Sequence, residues 1–175
     1  MDTFKEYMVT RYQDGKDKLK IFALIFLCTL LLFLSIFFIQ VLAPVLGFVI
    51  FGILAAFYGV YYYASMKRVE YEYIFTNGDL DIDKIMGQRK RKRLATIDVS
   101  TLLQFGKITD EKRTEILSSE HTVIDASDNL GTDEDYYLEC KHKNYGMLYV
   151  IFTPSDEFAE ELKPFFPREL RGKEF

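Results

Sequence analysis

The sequence contains only two cysteines, two histidines and no tryptophan. Cys28 lies inside a long apolar run and Cys140 lies in a charged region, so they are not expected to pair, and a disulfide-stapled fold is excluded. With two histidines, no Ser-His-Asp set can be assembled, and no activated cysteine or glycine-rich phosphate loop is found. The sequence therefore predicts a protein that is not an enzyme and uses no cofactor.

Charge is missing from the whole of residues 21–66. About 20 apolar residues in a helix cross the hydrocarbon core of a bilayer, so this run has room for two crossings and a tight turn. Pro44, close to the polar Gln40, would interrupt a continuous helix and marks the turn. We expect a two-helix transmembrane hairpin, with helices at Ile21–Ile39 and from Val45 to about Ala64.

Basic residues flank both ends of this run, and the turn between the two helices carries none. The flanking cations are Lys16, Lys18, Lys20, Lys67 and Arg68. The positive-inside rule then places both termini in the cytoplasm, in a multi-pass protein of the cell membrane. A cleaved signal peptide is the alternative for the first helix, but its apolar stretch is too long and a second one follows immediately.

The second apolar helix carries small residues four positions apart, which let a neighbouring backbone approach closely. They are Gly52, Ala55, Ala56 and Gly59. They serve either to pack the hairpin on itself or to form a homo-oligomer, and the sequence leaves both open.

The segment 1–20 before the hairpin mixes charged residues with large apolar ones. Its apolar residues, which recur at helical spacing, are Phe4, Tyr7, Met8 and Tyr12. This pattern predicts a short amphipathic helix lying on the inner membrane surface.

From residue 67 the composition becomes charged and aromatic. Residues 67–166 are enough for one small cytoplasmic domain, followed by a tail at 167–175. The chain carries a net charge of −4, so nucleic acid is not an expected partner. Alternation and turn residues predict strands at Val69–Phe75, Leu80–Ile82, around Arg89–Leu94, His121–Ala126, Tyr136–His142 and Met147–Phe152. Residues 97–118 are ambiguous between strand and helix, and a helix is expected from Ser155 to Phe166, stopped by Pro167.

Part of this domain resembles a known family. The resembling segments are Tyr73-Ile74-Phe75-Thr76, Leu80-Asp81-Ile82, the basic run up to Arg93 and Ile97-Asp98-Val99, which are similar to the opening of bacterial pleckstrin-homology-like (PH-like) domains. The resemblance implies a mainly-β PH-like barrel with a C-terminal amphipathic helix plugging one end. Many such domains are tethered behind paired membrane helices. The resemblance implies a fold and an architecture but no reaction.

Two groups of residues partly match the patterns of metal sites. Cys140 and His142 share a strand face, but His121 is the only other histidine and structural zinc usually needs four ligands. Asp79, Asp81 and Asp83 imitate the start of a calcium loop, whose sixth and twelfth positions are here the lysines Lys84 and Lys90. We therefore expect no metal, and we expect the acidic loop Asp125–Asp135 to be solvated.

A run of five cations is the one feature with a functional signal. It comprises Arg89, Lys90, Arg91, Lys92 and Arg93. In one interpretation the run contacts anionic lipid headgroups or a partner protein. In the other it is structural, with Asp83 facing Arg91, Asp81 facing Arg93, and Leu80 meeting Leu94 across a hairpin. Lys90 and Lys92 would then emerge on the opposite face.

The sequence as a whole predicts a non-enzymatic binding or accessory module tethered to the lipid bilayer. It would act at the inner membrane surface, on lipid headgroups or on a membrane-protein partner. The alternative is a small structural subunit of a membrane complex, such as a transporter or secretion machine, assembled through the hairpin.

Overall fold

The computed structural model describes residues 3–131 and 134–171, and the chain divides into two compact units. The helical unit is Gln13–Arg68, and the sheet unit joins the residues up to Tyr12 with those from Val69 onward. The helical unit is thus an insertion between the first strand of the sheet unit and the second.

The helical unit is a hairpin of two long helices. Helix α1 spans Gly15–Phe37 and helix α3 spans Leu46–Met66, and they are joined by the short helix α2, Ile39–Leu42, and a 3₁₀ turn at Ala43–Val45. The two predicted helices and the turn at Pro44 are confirmed. Lys67 at the end of α3 forms an ion pair with Asp17 at the start of α1, with 3.1 Å between Nζ and Oδ1. Both ends of the hairpin therefore lie on the same side.

Large apolar side chains are exposed along both long helices. Phe33, Phe48 and Phe51 have exposed fractions of 73%, 84% and 74%. Both helices are long and apolar enough to cross a membrane by length and composition, and almost none of either span is buried. Neither resembles a core helix of a soluble protein, whose apolar residues would be covered.

The first sheet has four antiparallel strands in chain order. They are β1 (Phe4–Thr10), β2 (Val69–Thr76), β3 (Asp79–Met86) and β4 (Lys90–Asp98). Asn77 and Gly78 join β2 to β3 with φ angles of 50° and 104°, the left-handed values that a tight hairpin turn requires. Tyr73, Phe75 and Leu80 point from this sheet into the core and are fully buried.

The prediction of an amphipathic helix in segment 1–20 is wrong for residues 4–10, which form strand β1. Phe4 pairs with Thr76 and Thr10 pairs with Glu70, so β1 completes the open edge of β2. Tyr7 packs against the core, whereas Met8 is exposed, which is the two-residue alternation of a strand. Phe4 and Met8 are exposed on the face opposite to Tyr7, so the apolar spacing favours a helix and only pairing with β2 makes the segment a strand.

The second sheet contains β5 (Leu102–Lys107), β6 (Thr122–Ala126), β7 (Tyr136–His142) and β8 (Gly146–Phe152). Its order is β5-β7-β8-β6, with β6 parallel to β8. Helix α4, Asp110–Ser118, lies between β5 and β6 in the chain, so the ambiguous stretch contains both a strand and a helix. Within the described residues the two sheets form separate ladders, so the predicted barrel is not shown, and the second sheet mixes parallel and antiparallel pairs.

The last α-helix that the structure describes is α5, Asp156–Leu162, and a 3₁₀ turn follows it at Lys163–Phe165. The Ser155 side chain caps α5 by accepting a hydrogen bond from the Phe158 backbone N–H, as its sequence predicts. Phe158, Leu162 and Phe166 are buried in the core between the sheets. Leu170 is buried there as well, so the core continues into the predicted tail at 167–175, of which residues 172–175 lie outside the described residues.

Candidate functional site

The basic run begins at the end of the first sheet where the chain enters and leaves the helical unit. Val69, the first residue of β2, lies opposite Met86 of β3, and Met86 lies opposite Lys90 of β4. At the same end the Arg11 backbone N–H donates to the Val69 carbonyl at 2.9 Å. The turn from β3 to β4 uses left-handed φ angles at Gly87 and Gln88. The sheet thus brings this basic turn beside both connections to the helices.

Arg91 and Arg93 are held by carboxylates on the outer face of the sheet. The Asp83 carboxylate accepts from Arg91 Nε and from Arg93 Nε, each at 2.7 Å. Arg93 also reaches Asp81 at 2.6 Å, and Arg91 contacts Glu72. The Asp83 and Glu72 side chains are only 4% and 6% exposed, whereas the two arginines are about half exposed. These arginines therefore neutralise buried acids.

The structure confirms the two predicted ion pairs but not the predicted register. Asp83 lies opposite Arg93 rather than Arg91, and Leu80 lies opposite Ile97 rather than Leu94. The turn joins Met86 to Lys90, which displaces the ladder by two residues from the prediction, and a β-bulge after Ile82 adds one more residue in β4. Asp83 therefore meets Arg91 diagonally, which a long guanidinium side chain allows.

Arg89, Lys90 and Lys92 are exposed, and none of them forms an ion pair with any acid that the structure describes. Strand alternation places Lys90 and Lys92 on the face opposite to Arg91 and Arg93, as predicted. Lys92 lies directly opposite Lys84 in the ladder, so two like charges share one row. This arrangement stabilises the sheet less than an ion pair would, and it leaves three cations for an external anion.

Replacing both Arg91 and Arg93 by Gln is expected to destabilise the protein by about 1–3 kcal/mol, because two buried carboxylates lose their counter-charges while water partly replaces them. The measurement is chemical unfolding of the full chain in detergent, followed by tyrosine fluorescence. Lys90→Gln with Lys92→Gln is the matched control and should leave the unfolding midpoint unchanged. Equal destabilisation by the two double substitutions would show that the arginines and the lysines do not differ in their contribution to stability.

The structure also brings Cys140 and His142 together, at the wall of a pocket of about 180 Å³. Burial raises the pKa of the Cys140 thiol to about 11, so the thiol is protonated at neutral pH and is a poor metal ligand. The other histidine, His121, packs against Tyr149 instead. No group of three metal-binding side chains occurs among the residues that the structure covers.

The prediction that the acidic loop is solvated is wrong, because parts of the loop are buried in a polar network. Asp135 is completely buried and accepts from Arg113 of α4 at 2.8 Å and from the Thr153 hydroxyl at 2.5 Å. Burial raises the pKa of the Asp135 carboxyl, and the hydrogen bond from Thr153 and the charge of Arg113 oppose that rise.

Asp125 holds the end of β1 through the same network. Its carboxylate accepts from Arg11 at 3.3 Å, and its carbonyl accepts from the same guanidinium at 3.1 Å. The backbone N–H of Tyr12 donates to the Asp128 carbonyl at 2.7 Å. The partners lie far apart in sequence, and the only signal for the network was the presence of isolated arginines alongside an aspartate-rich loop.

The small residues of α3 do not pack the hairpin on itself. Gly52, Ala55, Ala56 and Gly59 are all exposed, and a Cβ atom added at either glycine would meet nothing within 4 Å. The less exposed seam of α3 instead includes Val49, Ile53, Phe57 and Val60. The self-packing interpretation is therefore wrong, and the oligomer interpretation stays a prediction.

Comparison with known proteins gives one family. A family model described as "Bacterial PH-like domain (DUF6106)" matches residues 1–172. This match includes the helical insertion as well as both sheets. No curated protein and no solved structure gives a significant match to the chain.

Proposed function

The chain belongs to the bacterial PH-like domain family (DUF6106), and we propose that it is a non-enzymatic binding module that holds its sheet unit at the inner surface of the cell membrane. In this proposal the hairpin of α1 and α3 spans the bilayer, and Arg89, Lys90 and Lys92 contact anionic lipid headgroups. The main support for this proposal is that the basic run starts at the end of the first sheet from which the chain continues into both long helices.

The exposed apolar surface of α1 and α3 supports the membrane anchor. Exposing such apolar surface to water costs roughly 25 cal/mol for each Å², whereas the hydrocarbon core of a bilayer covers it without this cost. The ion pair of Lys67 with Asp17 closes the hairpin at its charged end. Since cations flank that end only, the positive-inside rule supports a cytoplasmic location for both termini.

The chain connections limit how far the basic turn can lie from the bilayer. Only Lys67 and Arg68 separate α3 from β2, a reach of roughly 7–10 Å when extended. Lys90 is two strands away from Val69 in the same row, or about 10 Å at the spacing of paired strands. Each cation near an anionic leaflet gains about 1 kcal/mol, so three uncommitted cations supply about 3 kcal/mol rather than the 5 of the whole run.

Lysine footprinting of the full chain in nanodiscs tests this proposal. Amine-reactive labelling of Lys90 and Lys92 should be about fivefold lower in anionic than in neutral nanodiscs, the ratio that corresponds to about 1 kcal/mol per cation. Lys141 and Lys143, at the opposite end of the sheet unit, are the internal controls and should be labelled equally in both. Added salt should restore labelling of Lys90 and Lys92, because it screens exposed charge.

Equal labelling of Lys90 and Lys92 in the two nanodiscs at low salt would contradict the lipid contact. It would favour a second candidate, a structural subunit that assembles with a membrane-protein partner or with its own copy. The outward-facing stripe containing Gly52 and Gly59 supports that candidate, because small residues permit close helix contact in a bilayer.

A further inference from the structure

The pocket next to His142 lies far from the membrane connections. It is formed by the end of β4, at Thr96–Asp98, by Thr101, and by residues 140–143 at the end of β7. Thr96 is six residues beyond Lys90 along β4, or about 20 Å at the rise of a strand. We call this site the distal pocket.

The distal pocket presents donors whose positions are set by the fold. The Asn144 backbone N–H donates to His142 Nδ1 at 3.2 Å, which leaves the ring proton of a neutral His142 on Nε2 as a donor. The His142 ring stacks on Tyr145 with 4.9 Å between centroids, and the Tyr145 hydroxyl donates to the Leu94 carbonyl at 3.2 Å. The imidazole is therefore held in one orientation before any ligand arrives.

The charge of the distal pocket favours an anion. Lys141 and Lys143 line it, are exposed, and make no ion pair with any acid in the part of the chain that the structure describes. The single acid in the wall is Asp98, whose carboxylate already accepts from the Ser100 backbone and hydroxyl at 2.9 and 2.6 Å. Lys141, His142 and Lys143 thus line about 180 Å³ of space, with two cations and one imidazole against a single acid.

We propose that the distal pocket binds the phosphate group of a soluble ligand. Lys141 and Lys143 supply charge, and His142 Nε2 supplies a directed hydrogen bond to a phosphate oxygen. A lipid headgroup carries the same chemistry, but the pocket lies about 20 Å along β4 from the sheet end that connects to the helices. This distance within the sheet unit favours a soluble ligand, whether or not the basic turn binds lipid.

The test is a titration of the full chain in neutral detergent micelles with inorganic phosphate at fixed pH and ionic strength, followed by NMR of labelled histidines. The chain has only two histidines, so each resonance reports one site. The His142 signal should shift and saturate, while His121 stays unchanged. Lys141→Gln with Lys143→Gln should weaken the binding about tenfold or more, and Lys90→Gln with Lys92→Gln should leave it unchanged.

Three results would overturn the proposal. They are a His142 shift that does not saturate, an equal shift with chloride in place of phosphate, or equal weakening by both lysine pairs. A further experiment places the chain in anionic nanodiscs without phosphate. The His142 resonance should then have the same chemical shift as in neutral nanodiscs. A saturating response to anionic lipid in that experiment would identify a headgroup as the ligand and exclude a soluble one.

Discussion

Replacing residues 13–68 by a short turn should give a folded, water-soluble sheet unit. Thr10 already lies opposite Glu70, and Arg11 is hydrogen-bonded to Val69, so the two cut ends are adjacent partners in a ladder. A flexible turn of a few residues closes such a hairpin at little entropic cost. Circular dichroism and a cooperative thermal transition without detergent would verify the result.

The matched control is the fragment Val69–Phe175, which lacks β1. Without β1, the edge of β2 is unpaired and Tyr73 loses the stacked ring of Tyr7. Asp125 also loses its ion pair with Arg11. We expect this fragment to be largely unfolded or aggregated, because an open edge with exposed aromatic residues is both unstable and sticky. If the fragment folded as stably as the closed form, β1 would contribute nothing to the domain.

Local pattern and composition were enough to predict much of the fold. The absence of charge between residues 21 and 66 predicts the two helices, and Asn77-Gly78 predicts the β2–β3 turn. Strand β7 has the predicted bounds, Tyr136–His142. Each of these signals lies in one continuous stretch of sequence, so no knowledge of distant contacts was needed.

The missed features depend on contacts between distant residues. Strand β1 pairs with residues sixty or more positions away, and its own apolar spacing favours a helix. The bulge after Ile82 depends on how β4 packs, and it changes every pairing beyond it. For the candidate site, the cations were identified from sequence, but the burial of Glu72 and Asp83 was needed to separate the bound Arg91 and Arg93 from Arg89, Lys90 and Lys92.

The buried network predicts a large effect for a single substitution on α4. Arg113→Ala removes the guanidinium that neutralises Asp135, a carboxylate with no exposed surface. Breaking a buried pair in this way costs about 3–5 kcal/mol, because the remaining charge is desolvated and uncompensated. Chemical unfolding of the full chain in detergent should show this loss. Lys112→Ala is the control, since Lys112 pairs with the exposed Glu115 one turn along and lies 5.6 Å from the centroid of the Tyr137 ring, and the loss of both contacts should cost only about 1 kcal/mol.

The destabilisation caused by Arg113→Ala should become smaller as the pH falls. Burial already raises the pKa of Asp135 in the folded chain, and removing Arg113 removes an interaction that lowers it, so the pKa rises further. Above that raised pKa the variant carries a buried, unpaired charge, and the full destabilisation is present. As the pH falls through the raised pKa toward the ordinary aspartate value, the folded state binds the proton more tightly than the unfolded state does, and the difference from the unmodified chain shrinks. A destabilisation that stayed constant from neutral to mildly acidic pH would mean that Arg113 stabilises the fold by packing rather than by neutralising Asp135.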